Sequence, residues 1–201
     1  MYLVFSCTPT LIGKGIRFLT RNEYNHVSLV LDIEGNKMVS FGRIHQNTPL
    51  WGGFVFEQEN RFIQGDKEAF IKVVDLKGKV DEKRILSLLT PFIEQPDLYR
   101  YNTVSAVTSL LHRGFTIPHA YTCVEFVSFL LDKTDVSVNQ LEARYADSVI
   151  YEGSYLPFFS EEATLLSKED DPYKISLSRK KSWGMTFRHF ASLADSRRST
   201  P

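Results

Sequence analysis

Cysteine is scarce in this sequence. Cys7 and Cys123 are the only two thiols in 201 residues, too few for a disulfide framework. An excess of one charge is also missing. Lys+Arg and Asp+Glu number 24 each, so no overall field draws the chain to nucleic acid or to an anionic membrane. No apolar run approaches the ~18 residues of a membrane span. Met1 to Cys7 is apolar but short and has no basic n-region, so it reads as a buried strand and not as a signal peptide; a cytoplasmic location is the expectation. Internal repeats and low-complexity tracts are absent, which argues against repeat architectures. His45, His112, His119 and His189 share no metal-ligand spacing, so no zinc site is expected. Gly13 and Gly15 are not followed by the Lys-Ser/Thr of a phosphate loop, and no cofactor is expected.

What is present is an ordinary globular composition, 43% hydrophobic and 24% charged, in a chain long enough for one substantial domain. Tyr2 to Ser6 is a candidate first strand, and Thr10 can cap a short helix over 11–19. Residues 25–32 form the clearest strand: Val27, Leu29 and Leu31 share one face by period-two alternation, while His26, Ser28 and Val30 face the other way. Glu34-Gly35-Asn36 reads as a hairpin turn that returns residues 37–42 beside His26 and Ser28. Strands are expected at 54–57 and 69–76. A helix is expected over 80–93, with Ile85, Leu88, Leu89 and Phe92 on one face, and another over 104–111. Residues 140–150 read as helical or mixed. Beyond about residue 150 the pattern loosens into an extension packing on the same domain, with a short strand at 173–177 and a frayed basic end. There Arg179-Lys180-Lys181, with Trp183 and Phe187, could touch an anionic partner, although a solvated face is the ordinary reading.

The stretch richest in chemistry is Tyr121 to Leu131. Thr122 is an N-cap candidate and Glu125, three residues on, completes a capping-box pattern. Val124, Val127 and Leu131 share a helical face. Cys123 therefore falls in the first turn of a buried helix, where the helix dipole and unpaired N–H groups favour a thiolate and can help hold an oxyanion. Taken alone, a cysteine in an apolar helix is usually a small core residue, and a strand histidine is usually structural.

The run from Ile12 to Thr20, then Tyr24-Asn25-His26-Val27-Ser28-Leu29-Val30-Leu31, and later Tyr121-Thr122-Cys123-Val124-Glu125-Phe126, resembles the circularly permuted branch of the NlpC-like papain fold. A strand-borne histidine precedes the helix-capping cysteine, the reverse of the papain order. The resemblance covers about residues 1–135. It implies an α+β fold, a permuted papain-like antiparallel curved sheet packed on the cysteine-bearing helix, and a thiol hydrolase with Cys123 as nucleophile and His26 as base. The family usually places His, Glu, Asn or Asp on the neighbouring strand to orient the imidazole. The best-matching position is Ser40, a departure, with Glu57 or His45 as substitutes. A tyrosine facing the oxyanion matches Tyr101 best, with Tyr99 next. The implied substrate is a peptide or other amide. Lipid acyl transfer or thioesterase chemistry, as in the related lecithin retinol acyltransferase-like enzymes, and a non-catalytic binding module are the alternatives.

Overall fold

The computed structural model describes residues 1–7, 23–33, 37–45, 48, 51–108, 116–135, 137–159, 173 and 178–198. Six strands form an antiparallel sheet: β1 (Tyr2–Cys7), β2 (His26–Asp32), β3 (Lys37–Arg43), β4 (Gly52–Glu57), β7 (Phe70–Asp75) and β10 (Val149–Ser154). Their order is β10-β7-β1-β2-β3-β4. The short β5 (Ile63–Gln64) and β6 (Lys67–Glu68) make a separate ribbon, and β8 (Arg100–Tyr101) pairs in parallel with β9 (Ala120–Tyr121). The α-helices among the described residues are α1 (Glu82–Glu94), α2 (Thr103–Thr108), α3 (Cys123–Leu130), α4 (Val138–Arg144) and α5 (Arg179–Arg198).

Strand alternation divides the interior into two cores. Leu3, Phe5, Val27, Leu29, Val39, Phe41, Phe54 and Val74 point to the face covered by α1 and α3, where they meet Ile85, Leu89, Phe92, Phe126, Val127 and Leu130. Val4, Val30, Met38, Ile71 and Val73 point the other way, onto Phe62, Tyr155 and Phe159. Phe126 is the centre of the first core, with ring centroids 4.9 Å from Phe41, 5.1 Å from Phe92 and 5.8 Å from Phe54. The α1 spacing behaves as expected: Ile85, Leu89 and Phe92 are buried, and Asp81 caps the helix by accepting from the Arg84 N–H at 3.1 Å.

Three sequence expectations change. The mixed segment 140–150 resolves into α4, capped by Ser137 with Gln140 completing the box, one tight turn, and β10, which crosses residue 150 and adds an edge to the sheet. The loose basic tail is a 20-residue helix, α5. Of its described side chains, Ser182, Thr186, His189 and Leu193 are buried, three of the four polar, so apolar periodicity does not announce it. Strand β4 begins at Gly52, two residues before the start expected at Phe54. The helix expected at 11–19, the Glu34-Gly35-Asn36 turn, the later part of the 104–111 helix and the strand at 174–177 lie outside the described residues.

The early start of β4 has a steric reason. A Cβ on Gly52 would stand 2.5 Å from the Gly42 carbonyl oxygen and 2.9 Å from Tyr101 Cβ, and one on Gly53 would stand 2.8 Å from the Tyr99 carbonyl oxygen. Only glycine lets the Tyr99–Tyr101 segment lie this close to β4. Gly52→Ala is expected to cost about 2 kcal/mol, as overpacking of a tight site does. Urea denaturation measures it; an unchanged midpoint would show that β8 does not press on β4.

Candidate active site

His26, Glu57 and Cys123 each stand at the end of an element, whereas Ser40 is mid-strand in β3. His26 is the first residue of β2, Glu57 the last of β4 and Cys123 the first of α3. Local sequence fixes α3 firmly. Thr122 Oγ1 accepts from the Glu125 N–H at 3.2 Å, and Glu125 Oε2 accepts from the Thr122 N–H at 2.8 Å, a complete capping box. Glu125 also accepts from the Ser105 hydroxyl and, at 3.4 Å, from Asn102 Nδ2, so α2 and α3 share one carboxylate. The cap thus holds Cys123 in place through residues from two segments, 102–105 and 122–125. The thiol is buried, with Cys123 5% exposed.

His26 meets two groups through Nε2. Glu57 Oε1 lies 2.7 Å away and Ser40 Oγ 3.2 Å away, and the Ser40 hydroxyl itself donates to Glu57 Oε1. The Cys123 side chain lies close enough to the His26 ring for its charge and hydrogen bonding to raise the ring's pKa. With Nε2 meeting Glu57 and Ser40, Nδ1 remains as the other ring nitrogen. Sulfur, imidazole and carboxylate therefore form one relay, a geometry suited to moving the thiol proton onto the ring.

The electrostatics run the same way. Burial works against a charged imidazole, but the Glu57 carboxylate, then the charge and hydrogen bond of Cys123, outweigh it and hold the His26 pKa above its ordinary 6.5. Burial likewise works against the Glu57 carboxylate. His26, then the Arg61 guanidinium and the Ser40 hydroxyl, outweigh it and hold its pKa below the ordinary 4.5. At neutral pH the two form an imidazolium–carboxylate pair.

Tyr101 is brought to the same place. β8 lies beside β9, and β9 runs directly into Thr122 and Cys123; Tyr101 pairs with Tyr121, and the Asn102 N–H donates to the Tyr121 carbonyl at 2.9 Å. Burial, followed by the charges of Cys123 and Glu125, raises the Tyr101 pKa, while Arg43 pulls it the other way. The phenol therefore stays a neutral O–H donor. Tyr99, the other tyrosine considered for this role, stacks on Phe92 with centroids 4.1 Å apart. His45, considered as a third group, lies just past β3, where its carbonyl accepts from the Thr48 N–H at 3.3 Å and hydroxyl at 3.1 Å. Cys7 ends β1 as a half-buried free thiol paired across to Phe70.

Arg61 and Arg43 are site neighbours that sequence reading did not select. Arg61 Nη1 donates to the Arg43 carbonyl at 2.6 Å, and its guanidinium lies 4.4 Å over the Tyr173 ring. Arg43 Nη2 donates to the Tyr173 hydroxyl at 3.1 Å. A buried arginine two strands from a strand histidine has no sequence signal of its own. Among the described residues no three His, Cys, Asp or Glu side chains gather into a metal-holding group, and no helix is long and apolar enough to cross a membrane. No protein-family model, curated protein or solved structure matches the chain.

Proposed function

We propose that the protein is a cysteine hydrolase of the permuted papain-like kind, acting on an amide bond through a thioester. The observation that carries this reading is the His26 imidazole held between the Glu57 carboxylate and the Cys123 sulfur. The sulfur attacks the acyl carbon as its proton resides on His26. The carbonyl π electrons move to oxygen, and in this reading the Tyr101 hydroxyl and a backbone N–H of the α3 first turn donate to it. The tetrahedral species collapses to a thioester, and the leaving amine takes the proton from His26. Neutral His26 then removes a proton from water, and the oxygen attacks the thioester. The acid departs and the thiolate–imidazolium pair is restored. Glu57 orients the ring throughout and stabilises its charge, with Ser40 steadying the carboxylate. The permuted histidine-then-cysteine order and the capping box at Thr122 support the same reading.

The test is alkylation of Cys123 by iodoacetamide in a Cys7→Ala background, paired with mass analysis after exposure to a p-nitrophenyl ester. His26→Ala is expected to slow alkylation near neutral pH by roughly a hundredfold, the scale of a positioned base. The wild type should carry an acyl adduct on Cys123 that Cys123→Ala lacks. Equal alkylation with and without the imidazole, and no adduct, would leave only a binding module on this scaffold.

A further inference from the structure

A surface helix ordinarily turns its apolar stripe inward and its polar side to water. α5 does the reverse. Among its described side chains, Ser182, Thr186 and His189 are buried together with the apolar Leu193. The Thr186 hydroxyl donates to the Ser182 carbonyl at 3.0 Å, and His189 Nε2 lies 2.9 Å from the Tyr101 carbonyl oxygen and 3.1 Å from Thr103 Oγ1. Facing outward are Trp183 and Phe187, 63% and 69% exposed, the two most exposed large hydrophobics among the described residues. Their rings lie 6.3 Å apart, with exposed Lys181 and Arg188 beside them. A Cβ on Gly184 would meet nothing within 4 Å, so the crest is open between them.

Charge is concentrated on the same helix. Residues 179–198 hold six basic side chains (Arg179, Lys180, Lys181, Arg188, Arg197, Arg198) against Asp195, a net of +5, while the whole chain balances at 24 and 24, leaving −5 for the rest. We infer that α5 docks the protein on anionic lipid surfaces, with Trp183 and Phe187 entering the headgroup boundary and the flanking basic residues meeting lipid phosphates. Aromatic rings partition into that boundary, and each nearby Lys or Arg adds electrostatic attraction. A convex crest suits a bilayer, which needs only exposed apolar area and charge. The opposite net charge of the remaining chain orients the molecule, repelling the other faces from the same surface. Because His189 ties α5 to the strand carrying Tyr101, a docked helix holds the Cys123 region at a fixed distance from the lipid. The inference does not rest on catalysis.

The full chain is sedimented with phosphatidylcholine vesicles, with and without phosphatidylglycerol, while Trp183 emission is read in a Trp51→Phe background. Binding to the phosphatidylglycerol vesicles is expected, with a blue shift of Trp183, little binding to pure phosphatidylcholine, and weakening by added salt. Lys181→Gln and Arg188→Gln should each weaken binding roughly fivefold. Trp183→Ala/Phe187→Ala should abolish the apolar component with an unchanged thermal midpoint, since both side chains are exposed. The inference is overturned by no preference for anionic vesicles, by undiminished binding of the double variant, or by Trp183 emission already blue without lipid, which would mean that the chain itself or a second copy covers the crest. Polyglutamate displacing vesicles from a helix whose Trp183 emission never shifts would assign the face to an acidic protein instead, and also overturns it.

Discussion

Glu57→Gln is expected to destabilise the protein by about 3 kcal/mol in the pH range where the native pair is fully charged, and to slow Cys123 alkylation at least tenfold near neutral pH. Losing one partner of a buried ion pair typically costs roughly 3–5 kcal/mol. The low end applies because the imidazole can shed its proton instead of standing as a lone buried charge. His26 and Glu57 side chains are 14% and 3% exposed, so solvent screening offsets little of this. The pH dependence follows from the two shifts. The His26 pKa is raised in the fold, so its contribution is whole below the ordinary 6.5 and fades as pH climbs through the higher folded value. The Glu57 pKa is depressed, so its contribution is whole above the ordinary 4.5 and fades as pH falls through the lower folded value. The stability gap between wild type and variant should therefore be widest from 4.5 to 6.5 and narrow on both sides. Urea midpoints across pH measure it, and a gap that does not vary with pH would show that Glu57 acts by packing alone.

Glu57 also shows where sequence reading stops. Thr122 and Glu125 signal the helix start because a capping box is local, and the alternation around Val27 and Leu29 places His26 on its strand without outside help. The partner of His26 depends on something non-local. Met38 pairs with Glu57, and Ser40 with Val55, only in the register β4 adopts after residues 44–51. That register is set by the close packing of Gly52 and Gly53 against Tyr99–Tyr101, which no periodicity encodes. So Ser40 lies 3.2 Å from the ring, while the acid that meets the same nitrogen at 2.7 Å stands one strand farther out, on β4. The parallel β8–β9 ribbon escapes for another reason: strands of two residues carry no alternation to detect. Tyr101 could be chosen by family resemblance, but its place next to Cys123 follows from that ribbon.

Phe126→Ala is expected to cost about 4 kcal/mol, the usual range for emptying a fully buried phenylalanine site being roughly 3–5. The ring is 0% exposed and joins the sheet, through Phe41 and Phe54, to α1 through Phe92. It therefore holds the cysteine-bearing helix against the strands that carry His26 and Ser40. The capping box is expected to survive in this variant, because its bonds join Thr122, Glu125 and Ser105 without using the Phe126 side chain. Helix α3 should keep its first turn yet lose its fixed height above the sheet. Thiol chemistry then separates two effects that stability alone confounds. Alkylation of Cys123 should become less dependent on His26, because a helix that rides loosely no longer aims sulfur at the ring. Phe126→Leu, which refills most of the volume, should recover most of the stability and restore the dependence on His26. If Phe126→Ala instead unfolds near the wild-type urea midpoint, α3 is not seated on the sheet by this ring cluster. The meeting of Cys123 with His26 would then need another support.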